Sequence, residues 1–189
     1  MKKRAIILTE SGVTLTELIV VVAIVAILAV ALGFSYQGWM GRYKMEKQIK
    51  GIYTDLMDAR ARAMGRDRNF LADFPTATSY RVAADDDGDN AVDPPPAGEV
   101  LPTFPKTLEY PMAGGGLIMF DSRGLVYTIA GGNAVLIDPP ATPLVTLRLA
   151  AVGQPDYEPP DYDCIELTAS RIKMGLWNNL PAPGVCNVK

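Results

Sequence analysis

The sequence predicts an α+β fold: a long N-terminal helix, with a transmembrane half followed by an amphipathic half, packed on an antiparallel β-sheet head. Three observations predict it. Seventeen apolar or glycine residues run unbroken over positions 18–34. Ile49, Ile52, Tyr53, Leu56, Ala59 and Ala63 then recur at helical spacing, while Lys47, Lys50, Asp55, Asp58, Arg62 and Arg66 fill other faces, the pattern of a helix with one side turned to a core. From Leu117 onward, short runs rich in Leu, Ile and Val are separated by turns containing Gly, Asp and Asn. A length of 189 residues suits one domain with an appendage.

The first half of the helix comes first in the chain. Lys2, Lys3 and Arg4 form a basic start, and no charged residue occurs between Glu17 and Arg42. At 1.5 Å per residue, the apolar run with its uncharged flanks matches a hydrocarbon core of about 30 Å. The basic start would stay cytoplasmic and the rest of the chain would lie outside. A secretory signal peptide is a competing reading, with Ala29-Val30-Ala31 as its cleavage site. It fits less well: residues 8–17 are too long and polar a spacer, Glu17 abuts the apolar core, and the helical pattern continues beyond it. A plain uncleaved anchor leaves Gly12 and Glu17 without a role. A carboxylate at the mouth of an apolar helix is costly unless something pairs with it.

Gly33, Gly38 and Gly41 weaken the middle of the helix. The amphipathic pattern ends near Gly65, where glycine can stop a helix. Tyr36, Trp39 and Tyr43 read as interfacial anchors or as rings packed between subunits. Residues 42–68 carry eight basic and four acidic side chains, a balance of +4, and residues 69–189 carry seven and fifteen, a balance of −8. The basic neck reads as a solvated helix face or as a surface for anionic lipid. An acidic head is a poor nucleic-acid surface, because phosphate binding needs clustered Lys and Arg. The absence of histidine excludes Ser–His–Asp triads, Cys–His pairs and histidine-ligated zinc. Cys164 and Cys186 suit a disulfide if the head is exported and free thiols if it is not.

Residues 69–110 read as irregular. Within them Asp85, Asp87, Asp89 and Asp93 alternate in the manner of a calcium loop, but Asn90 stands where such a loop needs glycine and Pro96 where it needs glutamate. The solvated acidic loop is the favoured reading, and no cofactor is expected. Strands are predicted at 117–120, 125–129, 134–137, 144–149, 164–168 and 171–174. Gly114-Gly115-Gly116 lacks the Gly-Lys-Ser/Thr of a phosphate loop.

One stretch unites the odd features of the N-terminus. Gly12-Val13-Thr14-Leu15-Thr16-Glu17-Leu18 resembles the type IV prepilin processing motif: a basic leader, a glycine, a hydrophobic first residue (usually Phe in that family, Val13 here), a glutamate five residues into the mature chain, and an apolar helix. Ala59-Arg60-Ala61-Arg62-Ala63-Met64 and the turn Phe120-Asp121-Ser122-Arg123-Gly124 are similar to features of the GspH/FimT group of minor pilins and pseudopilins, as is the ending from Cys164 to Cys186. The resemblance implies a lollipop-shaped pilin fold. Its segments would be a leader at 1–12, a transmembrane and assembly helix at 13–34, an amphipathic helix at 35–66, and a globular periplasmic head at 67–189. It implies cleavage by prepilin peptidase between Gly12 and Val13, N-methylation of Val13, and a register role for Glu17, whose carboxylate would meet the Val13 ammonium of a neighbouring subunit. It also implies an address in the bacterial inner membrane before assembly.

The function so implied is that of a structural subunit of a type II secretion pseudopilus or a type IV pilus. Its partners would be other pilins or pseudopilins, the peptidase, an inner-membrane assembly platform and membrane lipid. The subunit would catalyse nothing. The alternatives are a DNA-uptake pilin, against which the acidic head argues, and a plain membrane-anchored exported domain. A membrane-anchored enzyme would need a carboxylate pair or a metal site in the acidic loop.

Overall fold

A computed structural model of the chain describes residues 12–92, 100–137, 145–149, 160–178 and 184–189; the side chains of 31–38, 100–104 and 145 lie outside that description. Helix α1 (Leu15–Arg66) is 52 residues long. Thr14 begins it with extended backbone, and its hydroxyl accepts a hydrogen bond from the Glu17 N–H at 3.3 Å, satisfying one of the donors every helix start leaves unpaired. The helix runs through Gly65 and stops at Arg66. Asp67 then takes the left-handed conformation (φ 52°), and its N–H returns to the Ala63 carbonyl. Aspartate here supplies the cap more often given by glycine, so the stop lies beyond the expected Gly65.

Among the described residues, eleven strands follow: β1 (Phe70–Thr76), β2 (Ser79–Ala84), β3 (Val100–Thr107), β4 (Met112–Ala113), β5 (Leu117–Phe120), β6 (Val126–Ala130), β7 (Asn133–Leu136), β8 (Val145–Leu149), β9 (Cys164–Leu167), β10 (Ile172–Asn178) and β11 (Val185–Val188). They form two sheets, one of six strands in the order β3-β2-β1-β5-β6-β7 and one of five in the order β11-β10-β9-β8-β4. The strand pairings are antiparallel.

The core lies where α1 meets both sheets. Met45, Ile49, Ile52, Leu56, Ala59 and Ala63 form one fully buried stripe of the helix. They join a cluster with Phe70, Ile118 and Phe120 of the first sheet and Leu147, Ile165 and Leu167 of the second. Each of the larger side chains contributes about 1.5–3 kcal/mol on burial, so this stripe accounts for much of the hold between helix and head.

The expected lollipop is corrected in two respects. The head is two antiparallel sheets, not one. Part of the second sheet and half of the first come from segments not read as strands, for β1, β2 and β3 occupy much of the stretch taken as irregular. Pro102 and Pro105 disguise β3, yet β3 is an edge strand, where a missing N–H costs no ladder bond. Secondly, the transmembrane half is not seen: among the described residues, no helix is long and apolar enough to cross a membrane. The single-pass inner-membrane anchor, its cytoplasmic N-terminus and the periplasmic placement of the head lose their basis with it.

Candidate functional site

Every large apolar side chain described between Leu15 and Val30 is more than half exposed. They surround the helix instead of forming a stripe, so a surface on one side could not cover them. Glu17 is the single charge in this segment. It lies in the first turn, where the positive end of the helix dipole favours a carboxylate. Thr14 and Glu17 have the spacing of a capping box, and the half running from the Glu17 N–H to the Thr14 hydroxyl is formed. Among the described residues the Glu17 carboxylate makes no ion pair. Gly12 and Val13 are exposed and precede the cap directly; a Cβ built on Gly12 would meet nothing within 4 Å. The expected cleavage point is thus open to solvent. The leader residues 1–11 lie outside the described residues.

Where α1 enters the head, a set of polar contacts fixes its direction. The Gln48 side-chain carbonyl accepts from the N–H groups of Glu109 and Tyr110 at 2.8 and 3.1 Å, and its amide donates to the Tyr110 carbonyl at 2.8 Å. The Tyr110 hydroxyl donates to the Gly41 carbonyl. Glu46 Oε1 accepts from the Asp161 N–H at 2.9 Å, and Arg42 bridges Glu46 and Asp161. Burial pushes the Glu46 carboxyl up, but the Asp161 N–H, Lys50 and Arg42 outweigh it and hold the group below the usual carboxylate range. The stacked rings of Trp39 and Tyr43 stay half-exposed just outside this junction. Gln48 carried no signal in the sequence, because a glutamine among lysines reads as surface.

Two of the stretches that carried the family resemblance, residues 59–64 and the turn 120–124, meet at the far end of α1. The turn joining β5 to β6 is closed by Asp121, whose Oδ1 accepts from the N–H groups of Arg123 and Leu125 at 3.0 and 2.7 Å. Burial raises Asp121, but those N–H groups and the Arg123 guanidinium together lower it below the ordinary range. Gly124 has φ 78°, and a Cβ there would lie 2.7 Å from Met64 Sδ of α1. In the second sheet, Cys164 and Cys186 are joined by a disulfide, which ties β9 to β11 across β10. Gly175 of β10 makes room for it: a Cβ would lie 2.4 Å from the Asn187 carbonyl oxygen and 2.9 Å from Cys186 Sγ.

The acidic loop follows β2. Asp85, Asp87 and Asp89 each place a carboxylate oxygen within 4.8 Å of the others, while Asp93 lies outside the described residues. The loop is not wholly solvated, as its composition suggests. Asp87 and Asp89 are exposed, but Asp85 is only 5% exposed. Its Oδ1 accepts from the Gly88 N–H at 2.9 Å, and its Oδ2 is shut off from solvent with no hydrogen bond. Burial raises the Asp85 carboxyl above its usual range, against the pull of the Gly88 N–H, the Asn69 side chain and the Asn90 backbone, and the Asp89 charge adds to the rise. Asn90, which stands where a calcium loop needs glycine, adopts φ 60°, a conformation asparagine tolerates better than most residues.

No family model, curated protein or solved structure matches the chain.

Proposed function

We propose that the chain is a structural subunit of a filament of the pilin or pseudopilin kind, processed by a prepilin peptidase and assembled through the first half of α1. One observation carries this reading. A single continuous helix gives its second half to the core of the head and leaves the described apolar side chains of residues 15–30 exposed on all sides. Soluble monomers rarely expose a contiguous apolar surface of more than a few hundred Å². A bundle of the same segment from several copies covers every side at once. Other pilin-like subunits, the peptidase and an assembly platform are the partners this requires, and assembly rather than catalysis is the subunit's work.

Cleavage after Gly12 would leave the new ammonium of Val13 two residues ahead of α1. A cation there opposes the helix dipole, and a carboxylate relieves it. Glu17 of a neighbouring copy is that carboxylate. In an apolar bundle such a pair sets register more than it adds net stability. The DNA-uptake alternative draws no support from the head, where Arg81, Lys106, Arg123 and Lys189 are each engaged by an aspartate.

The test is the N-terminal residue and intact mass of the full chain expressed with and without prepilin peptidase. A chain that begins at N-methylated Val13 only with the peptidase supports the reading. A chain that keeps Met1 in both cases, or is cut after Ala31, sinks it.

A further inference from the structure

We infer that the loop after β2 is a calcium site in which Asp85, Asp87 and Asp89 supply the carboxylate ligands. The inference does not depend on the filament reading. A Ca²⁺ ion holds each oxygen at 2.3–2.6 Å, so two of its ligands stand up to about 5 Å apart. The three carboxylate oxygens, all within 4.8 Å of one another, are close enough to share one ion.

Neighbouring acids alone make no site, since exposed acidic loops are common. Asp85 is what sets this loop apart. It is 5% exposed, and its Oδ2 is sealed from solvent and accepts no hydrogen bond. One oxygen of its carboxylate nevertheless lies within 4.8 Å of an oxygen of each of the two exposed ones. A buried carboxylate oxygen without a partner is expensive to keep, and grouping it with two further negative charges makes it more so. A bound cation removes both costs. The guanidinium of Arg68 is engaged by Asp86, the residue after Asp85, at 2.6 Å.

The donor set selects the ion. The chain has no histidine and both cysteines are bridged, so the ligands are carboxylate oxygens, which favour hard cations. Magnesium demands a near-ideal octahedron at about 2.0–2.1 Å and gives up its water reluctantly. Three carboxylates spaced along one short loop suit the looser coordination of calcium.

The test uses the full chain, stripped with EDTA and titrated with calcium chloride, and in parallel with magnesium chloride, by calorimetry and thermal unfolding. A single binding event is expected. With calcium at about a hundredfold excess over Kd, the Tm should rise by roughly 5 °C or more. Asp87→Asn combined with Asp89→Asn changes only exposed side chains, so the metal-free Tm should hold while both calcium responses vanish. The single variant Asp89→Asn should weaken binding at least about tenfold. The inference is overturned by the absence of heat and Tm shift at about 10 mM calcium, by a response of the same size in the double variant, or by an equal response to magnesium.

Discussion

The two halves of α1 carry similar side chains in opposite surroundings. Ile49, Ile52 and Leu56 are wholly buried, while Ile19, Ile24 and Leu28 are more than half exposed. Hydrophobicity does not separate them; its arrangement does. The second half confines its apolar residues to one face and sets Lys47, Lys50, Asp58 and Arg62 on the others, so the two sheets of the same chain can cover it. The first half is apolar around its whole circumference. Only something able to surround it would cover it, and one head attached at one end cannot. Composition says that a segment needs burial, and periodicity says from how many directions.

The largest effect should come from the buried half. Leu56→Ala removes a fully buried side chain at the junction of helix and sheets and should cost about 2–5 kcal/mol in urea unfolding. A loss no larger than that of an exposed substitution would break the contrast. Next, Cys164→Ser with Cys186→Ser opens a loop whose ends are 22 residues apart. It should lower stability by roughly 3 kcal/mol on the loop-entropy account, measured with and without reductant against the parent. An unchanged Tm in reductant would show that the second sheet holds β11 without the bridge.

A smaller effect should appear with pH. Glu46 and Asp121 have their carboxyl groups lowered in the folded state. Their contribution is therefore fully present above the unfolded carboxylate values of about 3.9–4.3 and is lost as pH falls through the lower folded values. Tm followed from pH 7 to pH 3 should drop in the acid limb. Glu46→Gln and Asp121→Asn should each start lower and fall less steeply; profiles parallel to the parent would contradict the pairing. The smallest effect should be Ile24→Ala, within about 0.5 kcal/mol for the isolated chain. Its consequence should show in self-association, measured by sedimentation, and a folding defect matching that of Leu56→Ala would place Ile24 in the core.

Particular residues show what could be read beforehand. The stripe from Ile49 to Ala63 was visible because charges mark its other faces, and β5, β6 and β9 because branched and aliphatic runs end in turn residues. β1 and β2 were missed: Asp73, Pro75 and Arg81 interrupt their apolar character, and their burial comes from distant partners such as Ile118 and Phe120. β11 was missed because its residues are largely exposed. At the candidate site, the pairing of the cysteines depended on a compartment the sequence did not establish. The burial of Asp85 was illegible because tertiary packing, not the composition of an acid-rich loop, shuts it from water.

The bridge between Cys164 and Cys186 also changes what damage does to this molecule. A protease that cuts once anywhere between those residues severs the chain but not the molecule, since the released segment remains covalently attached to the rest. Such a nick would pass unseen on a denaturing gel until a reductant was added. The strand that closes the second sheet could then stay in register after the backbone leading to it had been broken.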